Sequence, residues 1–158
     1  MLATDAKWVQ EVSMEADVAG IAKVLGGREV LGTEVRSLRD LELAVIGGLP
    51  KETLRHVARA VYRDAQHQRG LILSIVPEAT YKRRRLKLNQ AESERTERLA
   101  RIVAKAKAVW NDGDDAAEFL TAPHPLLEGR SPIEAARSEV GAKRVEHVLG
   151  AIEYGLPV

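Results

Sequence analysis

APHPLLEGRSPIEAARSEVGAKRVEHVLGAIEYGLPV, residues Ala122 to Val158, decides the fold. Pro123, Pro125 and Pro132 each fix φ near −65° and remove a backbone donor, so the chain must turn a short, strongly specified corner here. Ser131 then stands at a helix N-cap, with Pro132 at the first helical position. Glu134 lies three residues after the serine, which completes a capping box with its preferred proline. The apolar positions Ile133, Ala136 and Val140 continue through Val145, Val148, Leu149 and Ile152 at spacings of three and four, the signature of one buried helical face. Gly141 is expected to break or bend that run. Gly155 reads as the C-cap glycine, and Pro157 prevents any continuation, leaving a short apolar tail, Leu156-Pro157-Val158.

Upstream the same helical grammar recurs. Gln90 to Asn111 forms a long helix with Leu99, Ile102, Val103, Ala106, Val109 and Trp110 in one stripe, Trp110 serving as a core anchor. Asn111-Asp112-Gly113-Asp114 is a turn, from which Asp114 caps a helix over Asp115 to Leu120. Ser37 with Asp40 caps a helix carrying Leu38, Leu41, Val45 and Ile46, closed by Gly47-Gly48. Pro50 opens another, with Leu54, Val57, Ala58, Val61 and Tyr62 in register, ending between Gln66 and Gly70. Val18, Ile21, Ala22 and Leu25 have helical spacing before Gly26-Gly27. The pattern predicts an all-α protein in three parts: residues 1–36, either a flexible arm or an oligomerisation segment; 37–111; and 112–158.

Composition narrows the function classes. The 158 residues contain no cysteine, which removes disulfides, thiolate metal sites and a cysteine nucleophile. No HExxH pair, glycine-rich phosphate loop or GxSxG elbow occurs, and His56, His67, His124 and His147 are scattered, so neither catalysis nor a cofactor is expected. The Asp-rich turn at Asp112 lacks the ligand spacing of a calcium loop, so no metal is expected either. No apolar run reaches the roughly 18 residues of a membrane span, and the N-terminus lacks a signal-peptide pattern, so the expectation is a soluble, cytoplasmic protein with no membrane partner.

Net charge is only +1, but it is unevenly spread. Between Ile75 and Trp110 ten Lys and Arg residues face four Glu, whereas Asp112 to Glu128 holds five acidic residues and no Lys or Arg. The middle of the chain is suited to phosphates and the junction after it is not.

That basic middle contains Pro77, which opens a helix running Glu78-Ala-Thr-Tyr-Lys-Arg-Arg-Arg-Leu-Lys87. With Tyr81 and Leu88 turned to the core, a step of about 100° per residue puts Ala79, Lys82 and Arg83 on the opposite side, Thr80 and Lys87 obliquely beside them, and Arg84 and Arg85 at the flanks. Small and hydroxyl residues early in a helix, with cations one turn on, suit a major-groove recognition helix that approaches base edges while its neighbours hold phosphates. The preceding apolar piece, Leu71 to Val76, would be the supporting helix of a helix-turn-helix. A run of arginines on a merely solvated helix face is the competing reading.

From His124 onward the chain resembles the C-terminal domain shared by Xre, MbcA and ParS antitoxins. The pattern Asn/His-Pro-x-Leu-x-Gly-x-x-Pro, a short helix, Glu/Asp-x-Gly and a glycine-closed helix falls here on His124, Pro125, Leu127, Gly129, Pro132, Glu139, Gly141, Val145, Leu149, Ile152 and Gly155. Many members of that family carry an Xre-type helix-turn-helix with a Ser-Pro-x-Thr-x-x-Arg-Arg-Arg-like recognition helix. Val76 to Arg85 is similar to it, although Gly70-Leu-Ile-Leu-Ser-Ile75 replaces the usual Leu-Ala-x-x-Leu-Gly pattern before it.

The resemblance implies an Xre-like helical domain packed with a small helical toxin-binding domain. The implied function is that of an antitoxin of a type II pair, which inhibits a RES-domain, NAD-degrading toxin and represses the shared promoter by binding operator DNA. Toxin contact is then expected at Glu153, Tyr154, Gly155, Leu156, Pro157 and Val158, with Arg130 and Arg144 as polar rim contacts. DNA contact is expected at Ala79, Thr80, Lys82, Arg83, Arg84, Arg85 and Lys87. A homodimer is expected because half-site readers are generally dimeric. The alternative is a dimeric helix-turn-helix regulator with no toxin partner.

Overall fold

The computed structural model describes residues 17–84 and 86–158, and every regular element among them is helical. Helix α1 is described over residues 17–24, followed by α2 (Gly27–Leu31), α3 (Leu38–Ile46), α4 (Glu52–Val61), α5 (Ala65–Ile75), α6 (Glu78–Arg83), α7 (Gln90–Trp110), α8 (Gly113–Thr121), a 3-10 turn (Pro125–Leu127), α9 (Pro132–Ala135) and α10 (Glu139–Glu153). Asn89 and Glu92 form a capping box that starts α7, and Asn111 in the left-handed region (φ 52) ends it. The buried stripe Leu99, Ala100, Ile102, Val103 and Ala106 makes α7 the spine, with α3, α4 and α5 packed on it from upstream and α8 and α10 from downstream. Trp110 is half-buried and packs against Phe119, ring centroids 4.7 Å apart.

Residues 1–16 lie outside the described residues, but the remainder of the 1–36 segment joins the body. Val18, Ile21, Ala22, Val24, Leu25 and Val35 are buried in the same core as Leu99 and Leu149.

Several expected boundaries shift, each for a local reason. The helix after Pro50 stops at Val61 rather than beyond Gln66, because extended Asp64 accepts the His67 N–H at 2.9 Å and caps a new helix. Leu71 to Ile75 is consequently the second half of α5, with Gly70 inside it. The helix opened by Pro77 ends at Arg83, so Lys87 and Leu88 are not helical. Residues 86–88 instead run antiparallel to 49–51, with Lys51 N–H donating to Leu86 O (3.0 Å) and Leu88 N–H to Leu49 O (2.8 Å). Gly48 (φ +88) is required at this strap, since a Cβ there would lie 2.5 Å from the Leu88 carbonyl oxygen. Asp112, not Asp114, caps α8, accepting the N–H groups of Asp114 and Asp115. On α3 only Leu41 and Val45 of the four expected residues are buried, and Leu38 and Ile46 face solvent.

Candidate functional site

Two surfaces gather the residues singled out by sequence. The first is the α5–α6 pair. The turn between them is fixed by fully buried Val76 in extended conformation and by Pro77, whose carbonyl accepts the Tyr81 N–H at 2.8 Å. Ala79, Lys82 and Arg83 are exposed on α6, and Thr80 is half-buried. Lys82 lies 3.3 Å from Glu78, which also pairs with Arg69 across the turn. Arg84 is drawn inward, 3.5 Å from the carboxylate of Glu92, a residue buried at the start of α7. It anchors the end of α6 to the spine. Lys87 is exposed on the strap rather than on the helix, and Arg85 lies outside the described residues.

The second surface is the carboxyl-terminal platform. His124 organises its corner, accepting the Leu126 N–H on Nδ1 (3.2 Å) and the Gly129 N–H on its carbonyl (3.1 Å), with Leu127 fully buried beneath. The capping box at Ser131 forms as expected, and Ile133 and Ala136 are buried. The break in the helical run falls not at Gly141 but at Ser138, which accepts the Gly141 N–H at 3.0 Å and starts α10. Gly141 lies inside the helix, at a point where a Cβ would stand 1.9 Å from the Ala135 carbonyl oxygen. That offset rotates Val140 outward to 71 % exposure, away from the buried face it was assigned to.

Helix α10 closes as a Schellman motif: Gly155 N–H donates to Ile152 O (3.0 Å) and Leu156 N–H to Ala151 O (2.8 Å), with Gly155 at φ +66. From Glu153 to Val158 every residue is exposed, including the apolar side chains of Tyr154, Leu156 and Val158. The tail therefore leaves a rigid helix end without folding back onto the core. Arg144 is committed elsewhere: its guanidinium grips Glu128 with two contacts (2.8 and 2.6 Å) and donates to Leu126 O (2.7 Å). The hydrogen bonds from Arg144 hold the Glu128 carboxyl below its usual range. Arg130 donates to Leu127 O at 3.1 Å and lies 3.5 Å from the same glutamate. Both arginines brace the corner, at one end of α10, while the tail leaves the other.

Between the two surfaces lies a charge network that the sequence did not reveal. Arg98 donates to Glu139 (2.8 Å) and to the Arg137 carbonyl (2.8 Å). Arg101 meets Glu146 at 2.6 Å, Glu139 at 3.3 Å and Glu97 at 3.4 Å. Burial pulls the Arg101 pKa down, but the three carboxylates outweigh it and the net shift is upward. Glu97 shows the opposite balance, with burial pushing its carboxyl above the usual range despite Arg101. Glu97 and Arg101 pair within α7 at i,i+4 spacing. The contacts to Glu139 and Glu146 fasten α10 to α7, and because their partners lie about forty positions apart, no local spacing announces them. Among the described residues, no cluster of three or more His, Cys, Asp and Glu side chains is arranged to hold a metal, and no helix is long and apolar enough to cross a membrane.

Residues 40–101 match the antitoxin Xre-like helix-turn-helix domain, and residues 105–155 match the antitoxin Xre/MbcA/ParS C-terminal toxin-binding domain. A helix-turn-helix and a toxin-binding module on one helical chain define the class, a type II antitoxin with DNA binding. Over the matched residues the chain carries the two domains of an Xre-type antitoxin. The junction between the two matched ranges falls inside α7, which explains why the modules share one core. No curated protein matches the chain.

Proposed function

We propose that this antitoxin neutralises a RES-domain, NAD-degrading toxin by presenting its carboxyl-terminal tail to the toxin's cleft, and that it represses the shared promoter through α6. The observation that carries the first half is the exposed apolar tail beyond the Gly155 cap, held at the end of a helix that is itself clamped to the spine. A stub of this kind can occlude a pocket without performing chemistry, because it is apolar, cannot extend the helix past Pro157 and does not have to be pulled from the core. The contact residues in this reading are Glu153 to Val158. Arg144 and Arg130 act at a distance by fixing the corner on which α10 rests. The identity of the toxin as a RES-domain enzyme rests on the family resemblance of residues His124 to Gly155.

For DNA, the reading rests on Ala79, Lys82 and Arg83 sharing the outer face of α6, with Thr80 at its edge. Phosphate contacts come from Lys87 and Arg85, and a homodimer supplies two recognition helices to two half-sites. The deciding experiment is truncation after Glu153, co-expressed with the toxin encoded by the neighbouring reading frame. The shortened chain should fold and bind its promoter, yet fail to protect cells or co-purify with the toxin. Protection by the truncated chain refutes the tail assignment. Full promoter binding with no toxin among the neighbouring products favours the dimeric regulator instead.

A further inference from the structure

The recognition helix α6 has only six residues and buries none of them, so it cannot hold its own geometry. Short isolated helices are marginal in water, and α6 must be fixed from outside. Lys51 does this from the residue that precedes α4. Its Nζ donates to the Arg84 carbonyl oxygen at 2.8 Å, just past the last turn of α6, and lies 4.0 Å from the centroid of the Tyr81 ring. Its backbone N–H simultaneously donates to Leu86 O at 3.0 Å on the strap that follows α6. One residue thus holds a side chain of the helix, the carbonyl at its end and the segment leaving it.

From this juxtaposition we infer that Lys51 is a positioning residue for DNA recognition: it sets the angle and end of α6 through Tyr81 and Arg84 and does not itself contact phosphate. The inference rests on the reading of α6 as the DNA-reading helix. A cation over an aromatic face and a charge-assisted hydrogen bond to a helix C-terminus both act through charge, so the ammonium, more than the aliphatic stem, carries the role. Arg55 and Arg59 on the exposed face of α4 have their charges in solvent, whereas the Lys51 ammonium is engaged on α6.

The test uses the full chain with Lys51→Met, which keeps the stem and removes the charge, and Lys51→Arg, which keeps a cation in reach. Hydrogen exchange without DNA reads the clamp directly. Lys51→Met should speed exchange at the Tyr81 and Arg84 amides about tenfold, and Lys51→Arg should restore most of the protection. Affinity for a duplex carrying the promoter upstream of this reading frame should fall about tenfold in Lys51→Met and recover in Lys51→Arg, while the slope of log affinity against log salt stays that of the parent. A slope reduced by about 0.9 would make Lys51 a phosphate contact and overturn the inference. So would unchanged exchange, unchanged affinity, or an Arg variant no better than Met. If Arg83→Ala leaves promoter binding intact while Lys51→Met loosens α6, the assignment of α6 as reader fails and the clamp stands.

Discussion

Gly141 abuts the backbone of Ala135 so closely that a Cβ on the glycine would stand 1.9 Å from the Ala135 carbonyl oxygen and 2.8 Å from the Ser138 hydroxyl. The obstacle is backbone, which cannot swing aside, so the kink between α9 and α10 has a specific steric requirement. Gly141→Ala should destabilise the protein by about 3 kcal/mol, the upper part of the range for overpacking, and lower the melting temperature by roughly 6–12 °C. Gly150, on the same helix, is the control, because a Cβ added there would meet nothing within 4 Å. Gly150→Ala should be neutral or stabilise by up to about 1 kcal/mol, since it removes only backbone freedom. Equal thermal melts for the two variants would refute the close approach.

Arg83 lies on the outer face of α6 and Lys87 is exposed on the strap beyond it. If α6 enters the groove, Arg83→Ala should weaken promoter binding by about 1–3 kcal/mol and blur sequence preference. Lys87→Ala should lower the salt slope by about 0.9 with little effect on sequence preference. Titrations at several salt concentrations, against promoter and unrelated duplexes, separate the two.

Glu97 gives a pH dependence opposite to that of most carboxylates. Burial holds its folded pKa above the usual range, so the folded state keeps this proton to higher pH than the unfolded chain does. Stability at this site is therefore greatest in acid and declines as pH rises through the folded value. Glu97→Gln should be more stable than the parent at neutral pH, with the difference vanishing as pH drops below the carboxylate range. Denaturant melts across that range should converge on the acid side, and divergence there would contradict the assignment.

Glu134 behaves conversely. The Ser131 backbone N–H, then its hydroxyl, hold the Glu134 carboxyl below its ordinary range. The capping box therefore contributes stability above the unfolded carboxylate pKa and loses it as pH falls through the lower folded value. Glu134→Gln should melt below the parent at neutral pH and match it in strong acid. Ser131→Ala should cost about 1 kcal/mol as the loss of an N-cap. A gap that persists unchanged into strong acid would contradict the account of Glu134.

Local grammar was legible from residue order alone. The capping boxes at Ser37 and Ser131, the glycine-closed end of α10 and the buried stripe of α7 all depend on residues within about four positions of one another, where geometry follows from spacing. Where the charges went was settled only by the folded chain. Arg84, Arg144 and Arg101 look alike in sequence as basic residues on helices. Folding assigned the first to buried Glu92, the second to Glu128, sixteen residues away, and the third to a carboxylate cluster centred on α10. It also turned Val140 to solvent, because the chain restarts its helix at Ser138, and set Lys51 over Tyr81. Long side chains take partners from whichever elements pack beside them, and that packing is settled by the shape of the whole core.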